Sequence, residues 1–242
     1  MTAEEHLTRL KDAIRARDID AWNNWRKEHP HLKPHLSRTD LRFMDLKRVD
    51  LRGADLHGSR LQGAKLQGAN LTDADLRWAD LKRVELAGAD LIDANLSGAC
   101  LRHSKLLEAH LLRANLSHTD MRDADLRQAD LSGATLTGAN LGDGYLRPAN
   151  LSDADLTGAN LSDASLIGVN LQHSVLRDVD LTGADLVRAD LGQADLTDAK
   201  LTRADLRDAN LDGAILSHAD LDGTNLSRAN LENATLIAAD EV

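Results

Sequence analysis

The chain repeats one pattern of hydrophobic and polar residues every five positions. From Leu41 to Leu236 there are 40 positions spaced by five, of which 39 are leucine and one is Met121. The residue two places earlier is alanine at 28 of these 40 positions, and the residue immediately before is aspartate or asparagine at 27. No insertion or deletion interrupts the spacing, so one local structure is predicted to recur along the whole segment.

A period of five fits neither regular secondary structure. On an α-helix, a step of five residues rotates by about 140°, so the leucines would point in every direction. On a flat strand an odd step alternates faces, so every second leucine would face water. The Asp, Asn, Gly, Ser and Thr residues around each leucine favour turns. The pattern therefore predicts an all-β solenoid that turns once per repeat and buries its leucines.

The stretch ANLSDADLTGANL at residues 149–161 resembles the A(D/N)Lxx repeat of the pentapeptide-repeat family, and the resemblance covers about residues 37–240. It implies a right-handed quadrilateral β-helix with four repeats, or about twenty residues, in each coil. About ten coils would then form residues 36–240 into a rod of roughly 50 Å, at ~4.8 Å per coil. The resemblance also implies that each leucine and the alanine two places before it point inward.

Residues 1–35 precede the repeats and are predicted to form a helical cap over the first coil. Thr2 and Glu5 match a capping box at the start of a helix. The hydrophobic side of this helix is predicted to consist of Leu7, Leu10 and Ile14.

A second helix is predicted to carry two tryptophans that cover the open end of the leucine column. Asp20 is predicted to cap this helix, and Trp22 and Trp25 lie three residues apart within it. The segment AWNNWRKEHP also resembles one found before the repeats of some bacterial members of the family. Large residues in the first coil, interpreted as inward-pointing, favour contact with a cap; they are Phe43, Met44 and Val49.

The last repeat carries Leu236 and Ile237 and is followed by no comparable covering segment. An uncovered coil exposes apolar atoms and unpaired backbone groups, which favours association with a second copy. The sequence therefore predicts a two-fold homodimer joined at this coil. A frayed last turn that stays monomeric is the alternative.

Charge is distributed unevenly along the chain. The net charge is −10, and residues 141–242 hold 7 Lys/Arg and 18 Asp/Glu, whereas residues 36–140 hold 15 of each. No basic region of the kind that binds nucleic acid directly is present. The acidic half instead favours a cationic protein surface as the partner. The charged first residues, a single cysteine and the absence of a long apolar run predict a cytoplasmic protein without a membrane span.

No combination of residues resembles a catalytic centre or a cofactor site. The ten histidines form no HExxH motif, and no Walker or G-x-G-x-x-G motif occurs. Three histidines in HPHLKPH (residues 29–35) lack a carboxylate or thiol beside them, so a solvated connector is favoured over a metal site. We therefore expect no enzyme activity, no metal and no cofactor.

Two sets of outward residues are candidate partner-binding sites. With about twenty residues per coil, Ile92 stacks with Leu112, and Leu107 lies on the adjacent side of the rod, so these three form a possible apolar patch. Scattered surface apolar residues are the alternative interpretation. The candidate acidic set is Asp180, Asp185, Asp190, Asp195 and Asp205.

A rigid non-enzymatic scaffold that binds a protein partner through its outer faces is the first functional hypothesis. The second follows from the resemblance, because some members of the family protect DNA gyrase and topoisomerase IV by imitating the width and charge of duplex DNA. The acidic half agrees with such a DNA mimic, whereas the near absence of phenylalanine and the tryptophan-bearing cap do not. The partner would then be a type II topoisomerase.

The stretch LGDGYLRPANL (residues 141–151) departs most from the repeat. Pro148 cannot donate a backbone hydrogen bond, so one rung of the ladder is predicted to be lost there. Gly144 replaces the usual alanine and is predicted to leave the interior underfilled. Arg127, Arg147 and Tyr145 lie nearby, but the stretch is interpreted as a local kink rather than a catalytic site.

Overall fold

A computed structural model describes residues 2–236 and contains two short helices followed by a continuous β-helix. Helix α1 spans Ala3–Arg15 and helix α2 spans Ile19–Glu28. From His35 onward the structure consists of turns joined by single-residue parallel bridges rather than by extended strands.

Every bridge of the β-helix joins two residues that are twenty positions apart. The first is His35 with Asp55 and the last is Ile215 with Thr235, and all are parallel. Four repeats therefore make one circuit, and residues twenty apart stand one above the other. We number the four sides by their leucines at twenty-residue steps: side 1 begins with Leu36, side 2 with Leu41, side 3 with Leu46 and side 4 with Leu51.

Each repeat contains one tight turn just after its leucine. The N–H three residues after the leucine donates to the leucine carbonyl, as Ala74 does to Leu71 at 3.0 Å. The second turn residue has a positive φ, for example 56° at Asp73 and 69° at Gly98. One positive φ at the second central position describes a type II turn, which reverses the chain sharply enough to make a corner. These turns return every leucine to the same interior.

The interior is a stack of small aliphatic side chains. The leucine positions from Leu36 to Leu216 are at most 2% exposed, and the alanines two places earlier are buried with them. Backbone hydrogen bonds run along the rod between coils; Leu56 donates to the carbonyl of Asp75 at 2.8 Å, and the Asp75 N–H donates to Ala54 at 2.9 Å. Because most layers repeat leucine and alanine and the others carry side chains of similar size, the core has no room for aromatic rings.

The ladder is displaced at Pro148. Among the second turn residues from Arg38 to Asn233, Pro148 alone lacks a positive φ, because the proline ring holds φ negative. Gln128 therefore donates to the Pro148 carbonyl at 3.1 Å, one residue beyond the carbonyl that its equivalents use. The backbone closes in at Gly144, where an added Cβ would lie 2.7 Å from the Leu141 oxygen. The prediction of an underfilled interior at Gly144 was wrong for this reason.

Helix α2 occupies the place that a preceding coil would take. The Asn23 side chain accepts the Asp50 N–H at 2.8 Å, and the Trp22 indole N–H donates to the Asp50 carbonyl at 2.8 Å. Arg26 donates to the Arg52 carbonyl at 2.7 Å. These edge groups would otherwise be unpaired, so side chains of α2 substitute for the missing coil.

The apolar part of the cap packs on the same surface. Trp22, Trp25 and Leu10 are buried, and Leu7 and Ile14 are half-buried against the core. Two expectations about this region were wrong. Asp18 rather than Asp20 caps α2, since the helix begins two residues earlier than predicted. Phe43 is a second turn residue and is 75% exposed, so it does not point inward toward the cap.

Stability of the cap is expected to fall as the pH drops below 6.5. His6 is buried between α1 and the first coil, and its Nδ1 accepts the His35 N–H at 3.2 Å. Burial lowers the pKa of His6 from its ordinary 6.5, and nearby His35 lowers it further. The unfolded chain therefore binds a proton at this residue before the folded chain does, so its stabilising contribution is complete above pH 6.5 and decreases below it.

This pH dependence is measured by denaturant unfolding between pH 7.5 and pH 5.5, with tryptophan fluorescence of the cap as the signal. The His6→Gln variant is expected to show a smaller loss of stability over that range. An equal loss in both proteins would mean that His6 is not the source of the pH dependence.

Candidate binding surface

Three residues of each repeat face outward: the one before the leucine and the two turn residues after it. The first of these is usually Asp or Asn, and its side chain accepts the N–H of the first turn residue; Asp75 accepts from Arg77 at 3.1 Å. This local hydrogen bond holds the turn, in the manner of an Asx turn. The aspartates along the rod therefore stabilise the turns, whether or not they also bind a partner.

Many outward charges are neutralised within their own repeat. Several basic first turn residues pair with an aspartate two places earlier, as in Arg122 with Asp120 at 2.7 Å and Lys82 with Asp80 at 3.7 Å. The hydrogen bond from Arg122 lowers the pKa of Asp120 below its ordinary value. Each such exposed pair contributes little to stability, because water screens the attraction. Their main effect is to remove net charge from the surface.

The five candidate aspartates do not form one patch. A step of five residues moves to the next side, so Asp180 lies on side 2, Asp185 on side 3, Asp190 on side 4 and Asp195 on side 1. Asp205 lies on side 3 and bridges to Asp185. The set is therefore a belt of carboxylates around the rod, and a flat partner can reach only part of it at once.

These aspartates are half-buried and already hydrogen-bonded. Asp180 accepts the Thr182 N–H at 3.0 Å, and Asp185 accepts that of Val187 at 3.2 Å. Asp190 accepts the Gly192 N–H at 3.1 Å. Asp195 and Asp205 also form ion pairs, with Arg177 and Arg207. The belt therefore carries less free charge than the sequence count alone indicates.

The three candidate apolar residues are half-buried, and they lie on two different sides of the rod. Ile92 and Leu112 lie on side 4 and Leu107 lies on side 3. The large apolar side chains with the greatest exposure in the β-helix lie elsewhere: Phe43 at 75%, Trp78 at 68%, Leu236 at 54%, Tyr145 at 50% and Ile215 at 40%.

Phe43 and Trp78 mark the two edges of side 2 in the first half of the rod. Trp78 is the second turn residue at the corner between sides 1 and 2, and Phe43 is its counterpart between sides 2 and 3. Each ring leans over a glycine twenty residues later, where an added Cβ would meet the ring at under 3 Å. The sequence signal was therefore present: an aromatic turn residue followed after twenty positions by glycine, at Gly63 and Gly98.

The first and last described coils of the β-helix differ in how far their leucines are exposed. The first coil is covered by α2, whereas Leu221, Leu226 and Leu231 are half-buried and Leu236 is more than half exposed. Ile237, the other residue of the predicted dimer end, lies outside the described residues.

Two classes of site are not found in residues 2–236. No group of three or more His, Cys, Asp or Glu side chains in this range is arranged to hold a metal ion. Neither helix in the same range has the length and hydrophobicity needed to cross a membrane.

Continuous columns of outward residues on a uniform core define a repeat-built scaffold. The family model for pentapeptide repeats matches this chain in eight copies, over residues 35–73, 69–106, 109–147, 145–183, 174–213 and 204–240. The chain therefore belongs to the pentapeptide-repeat family, whose fold is the right-handed quadrilateral β-helix.

Two solved structures illustrate the similarity. HetL, a pentapeptide repeat protein involved in heterocyst differentiation regulation from the cyanobacterium Nostoc sp. strain PCC 7120, is 31% identical, with 89% of this chain and 96% of HetL covered and a TM-score of 0.50. QnrB1, a plasmid-mediated fluoroquinolone resistance protein, is 20% identical, with 84% and 91% covered and a TM-score of 0.50. At that identity QnrB1 shows the fold alone. A comparison with curated proteins finds no significant match.

Proposed function

We propose that this protein is a rigid, non-enzymatic scaffold of about ten coils that binds a protein partner through its outer surface. The observation that carries the proposal is the pair of exposed aromatic rings at the two edges of side 2, Phe43 and Trp78. Large aromatic side chains exposed on a rigid support are characteristic of the centres of protein interfaces. The bridges that hold side 2 in register fix the backbone beneath both rings, so binding needs to order only the side chains.

The experiment is affinity capture with wild-type protein and the double variant Phe43→Ser/Trp78→Ser, with quantification of every retained protein. A partner should be retained by the wild type and lost, at least about tenfold, on the double variant, because hot-spot aromatic residues contribute ~2 kcal/mol or more each. The variant Leu107→Ser/Leu112→Ser is the matched control, and it also tests the apolar patch first considered. Retention that no variant changes would contradict the proposal.

A DNA-mimic function on a type II topoisomerase is the second candidate. The excess of 18 Asp/Glu over 7 Lys/Arg in residues 141–242 favours it, as does the shared fold with a fluoroquinolone resistance protein. The hydrogen bonds and ion pairs that already occupy the aspartate belt weigh against it. We place it second because the belt offers a partner fewer free charges than the aromatic edges offer apolar contacts.

A gyrase supercoiling assay, with and without a quinolone and at two salt concentrations, tests this candidate. A DNA mimic should inhibit or protect gyrase, with an effect that fades as salt rises. Exchange of Asp180, Asp185, Asp190, Asp195 and Asp205 for Asn removes five charges but keeps the oxygen that each turn requires. Loss of the effect in this variant would support mimicry, and no effect of the wild type at micromolar concentration would exclude it.

Self-association through the last coil is the remaining part of the proposal. The increasing exposure of the leucines beyond Leu216 supports an interface between two copies there. Analytical ultracentrifugation at micromolar concentration decides it, because a monomer under those conditions contradicts a stable dimer. Leu236→Asp is expected to shift a dimer to monomer without unfolding the earlier coils.

A further inference from the structure

One arginine on side 2 lacks the partner that its equivalents possess. Arg102 is the first turn residue of its repeat, like Lys82 in the coil before and Arg122 in the coil after. Lys82 and Arg122 pair with Asp80 and Asp120, but the corresponding residue before Leu101 is Cys100. Among the ion pairs of residues 2–236, none involves Arg102, and its Nε is buried without a hydrogen-bond partner.

The unpaired Arg102 lies in a groove with other cationic side chains. This groove has a volume of about 420 Å³ and follows the corner between sides 2 and 3. Arg83 is exposed in it and, within the part of the chain that the structure describes, forms no ion pair. The groove is lined by Phe43, Gln62, Lys82, Arg83, Arg102 and His103, and no carboxylate lines it.

The carboxylates beside the groove are already engaged. Asp80 accepts from the Gln62 amide and pairs with Lys82, and Asp123 lies 3.4 Å from His103. Asp120 is paired with Arg122, whose hydrogen bond lowers the pKa of Asp120 most, and the charge of Arg102 lowers that pKa further. The groove therefore keeps a net positive charge in a protein whose overall charge is −10. Arginine is suited to bind carboxylate or phosphate oxygens through two parallel hydrogen bonds, and within residues 2–236 the half-buried Arg102 side chain forms no hydrogen bond or ion pair.

The shape of the groove indicates an extended ligand. From Phe43 to His103 it crosses three coil steps, or roughly 14 Å at ~4.8 Å per step, which equals about four residues of extended peptide. Phe43 forms an apolar wall at one end, and the cations follow toward the other. A free phosphate ion would use one end only and leave the exposed phenyl ring without a contact.

From this arrangement we propose that the groove binds an acidic segment of a protein partner, with an apolar or aromatic side chain against Phe43 and carboxylates on Arg83 and Arg102. This assignment rests on the proposed scaffold function and specifies where and how one partner segment would bind. It also gives the two halves of the rod different tasks, since the cationic groove lies wholly before residue 104 and the acidic excess lies beyond residue 140.

The sharpest test places at position 100 the aspartate that the coils before and after it have at the equivalent positions, Asp80 and Asp120. In Cys100→Asp the new carboxylate is expected to pair with Arg102 and to weaken binding about tenfold or more, since a hydrogen-bonded charge pair is lost. We expect the fold to tolerate this change, because Asp55 already stands beside Asp75 in adjacent coils and the aspartates flanking Cys100, Asp80 and Asp120, are each paired with a cation. Cys100→Asn is the matched control without charge and should change affinity less than about twofold.

The probe is a fluorescently labelled peptide of one phenylalanine followed by four glutamates, and the readout is fluorescence anisotropy. Arg102→Gln should weaken binding as Cys100→Asp does, whereas Arg147→Gln should not, although Arg147 is also a first turn residue and is more exposed than Arg102. Phe43→Ser should weaken the peptide but leave any binding of inorganic phosphate unchanged.

Three results would overturn the assignment. Equal affinities of Cys100→Asp and Cys100→Asn would mean that Arg102 binds no anion. Equal losses in Arg147→Gln and Arg102→Gln would indicate non-specific attraction. Displacement by phosphate with no effect of Phe43→Ser would indicate a small-anion site rather than a peptide groove. If peptide binding fails while a Trp78-dependent partner is still captured, only the groove assignment is wrong and the scaffold function stands.

Discussion

The Leu136→Asp variant is expected to lose more than about 4 kcal/mol of unfolding free energy and to unfold several neighbouring coils. Leu136 is fully buried in the middle of the rod. Its replacement removes about 2 kcal/mol of hydrophobic burial and places a carboxylate among leucines, which costs several kcal/mol more. Each coil packs against the coils beside it. Disruption of one coil therefore also lowers the stability of its neighbours.

Urea unfolding followed by circular dichroism measures this loss. Leu136→Met is the matched control and should cost less than about 1.5 kcal/mol, since methionine conserves volume. Met121 already occupies a fully buried leucine position, which shows that the core accepts this side chain. A midpoint of Leu136→Asp equal to that of the control would contradict the buried position of Leu136.

The Trp22→Ala variant is expected to have the second largest effect, a loss of about 3–5 kcal/mol concentrated at the cap. Trp22 is fully buried, and its indole N–H is bonded to the Asp50 carbonyl. Removal leaves a cavity and an unpaired edge carbonyl, which adds about 1–3 kcal/mol if water cannot reach it. An uncovered first coil would also present its backbone edge to other molecules, so we expect aggregation at lower denaturant concentration than for the wild type.

Trp78→Ala makes the same chemical change at an exposed position and should alter stability by less than about 0.5 kcal/mol. The pair of variants therefore separates the loss of a tryptophan from the loss of the cap. Equal stability of the two variants would show that α2 does not cover the first coil in solution.

Much of the fold follows from the period of five alone. A spacing that suits neither a helix nor a strand requires a turn in every repeat, and the uniform Leu and Ala positions require a narrow interior. Details of the cap do not follow from that argument. Asp18 and Asp20 both suit the start of α2, and the choice between them depends on the tight turn at Arg17, where φ is 55°.

The candidate binding surface was harder to predict, because it depends on which outward residues meet. With four repeats in each coil, Asp180, Asp185, Asp190 and Asp195 lie on four different sides, so the candidate acidic set surrounds the rod. The positive charge of the groove around Arg102 depends instead on a missing aspartate. Cys100 stands where an aspartate would neutralise the arginine, and that signal appears only when each basic turn residue is compared with the residue two places before it.

Because every bridge joins residues twenty positions apart, the number of repeats sets both the length of the rod and the side on which each residue lies. Removal of one repeat between Arg102 and Asp180 would preserve the five-residue spacing of the remaining leucines yet turn all later residues by a quarter of a circuit. Removal of four repeats would shorten the rod by one coil and leave both halves facing as before. The direction in which the acidic half faces, relative to the cationic groove, is therefore encoded by a count of repeats, and single-repeat insertions or deletions can reorient one surface without altering the other.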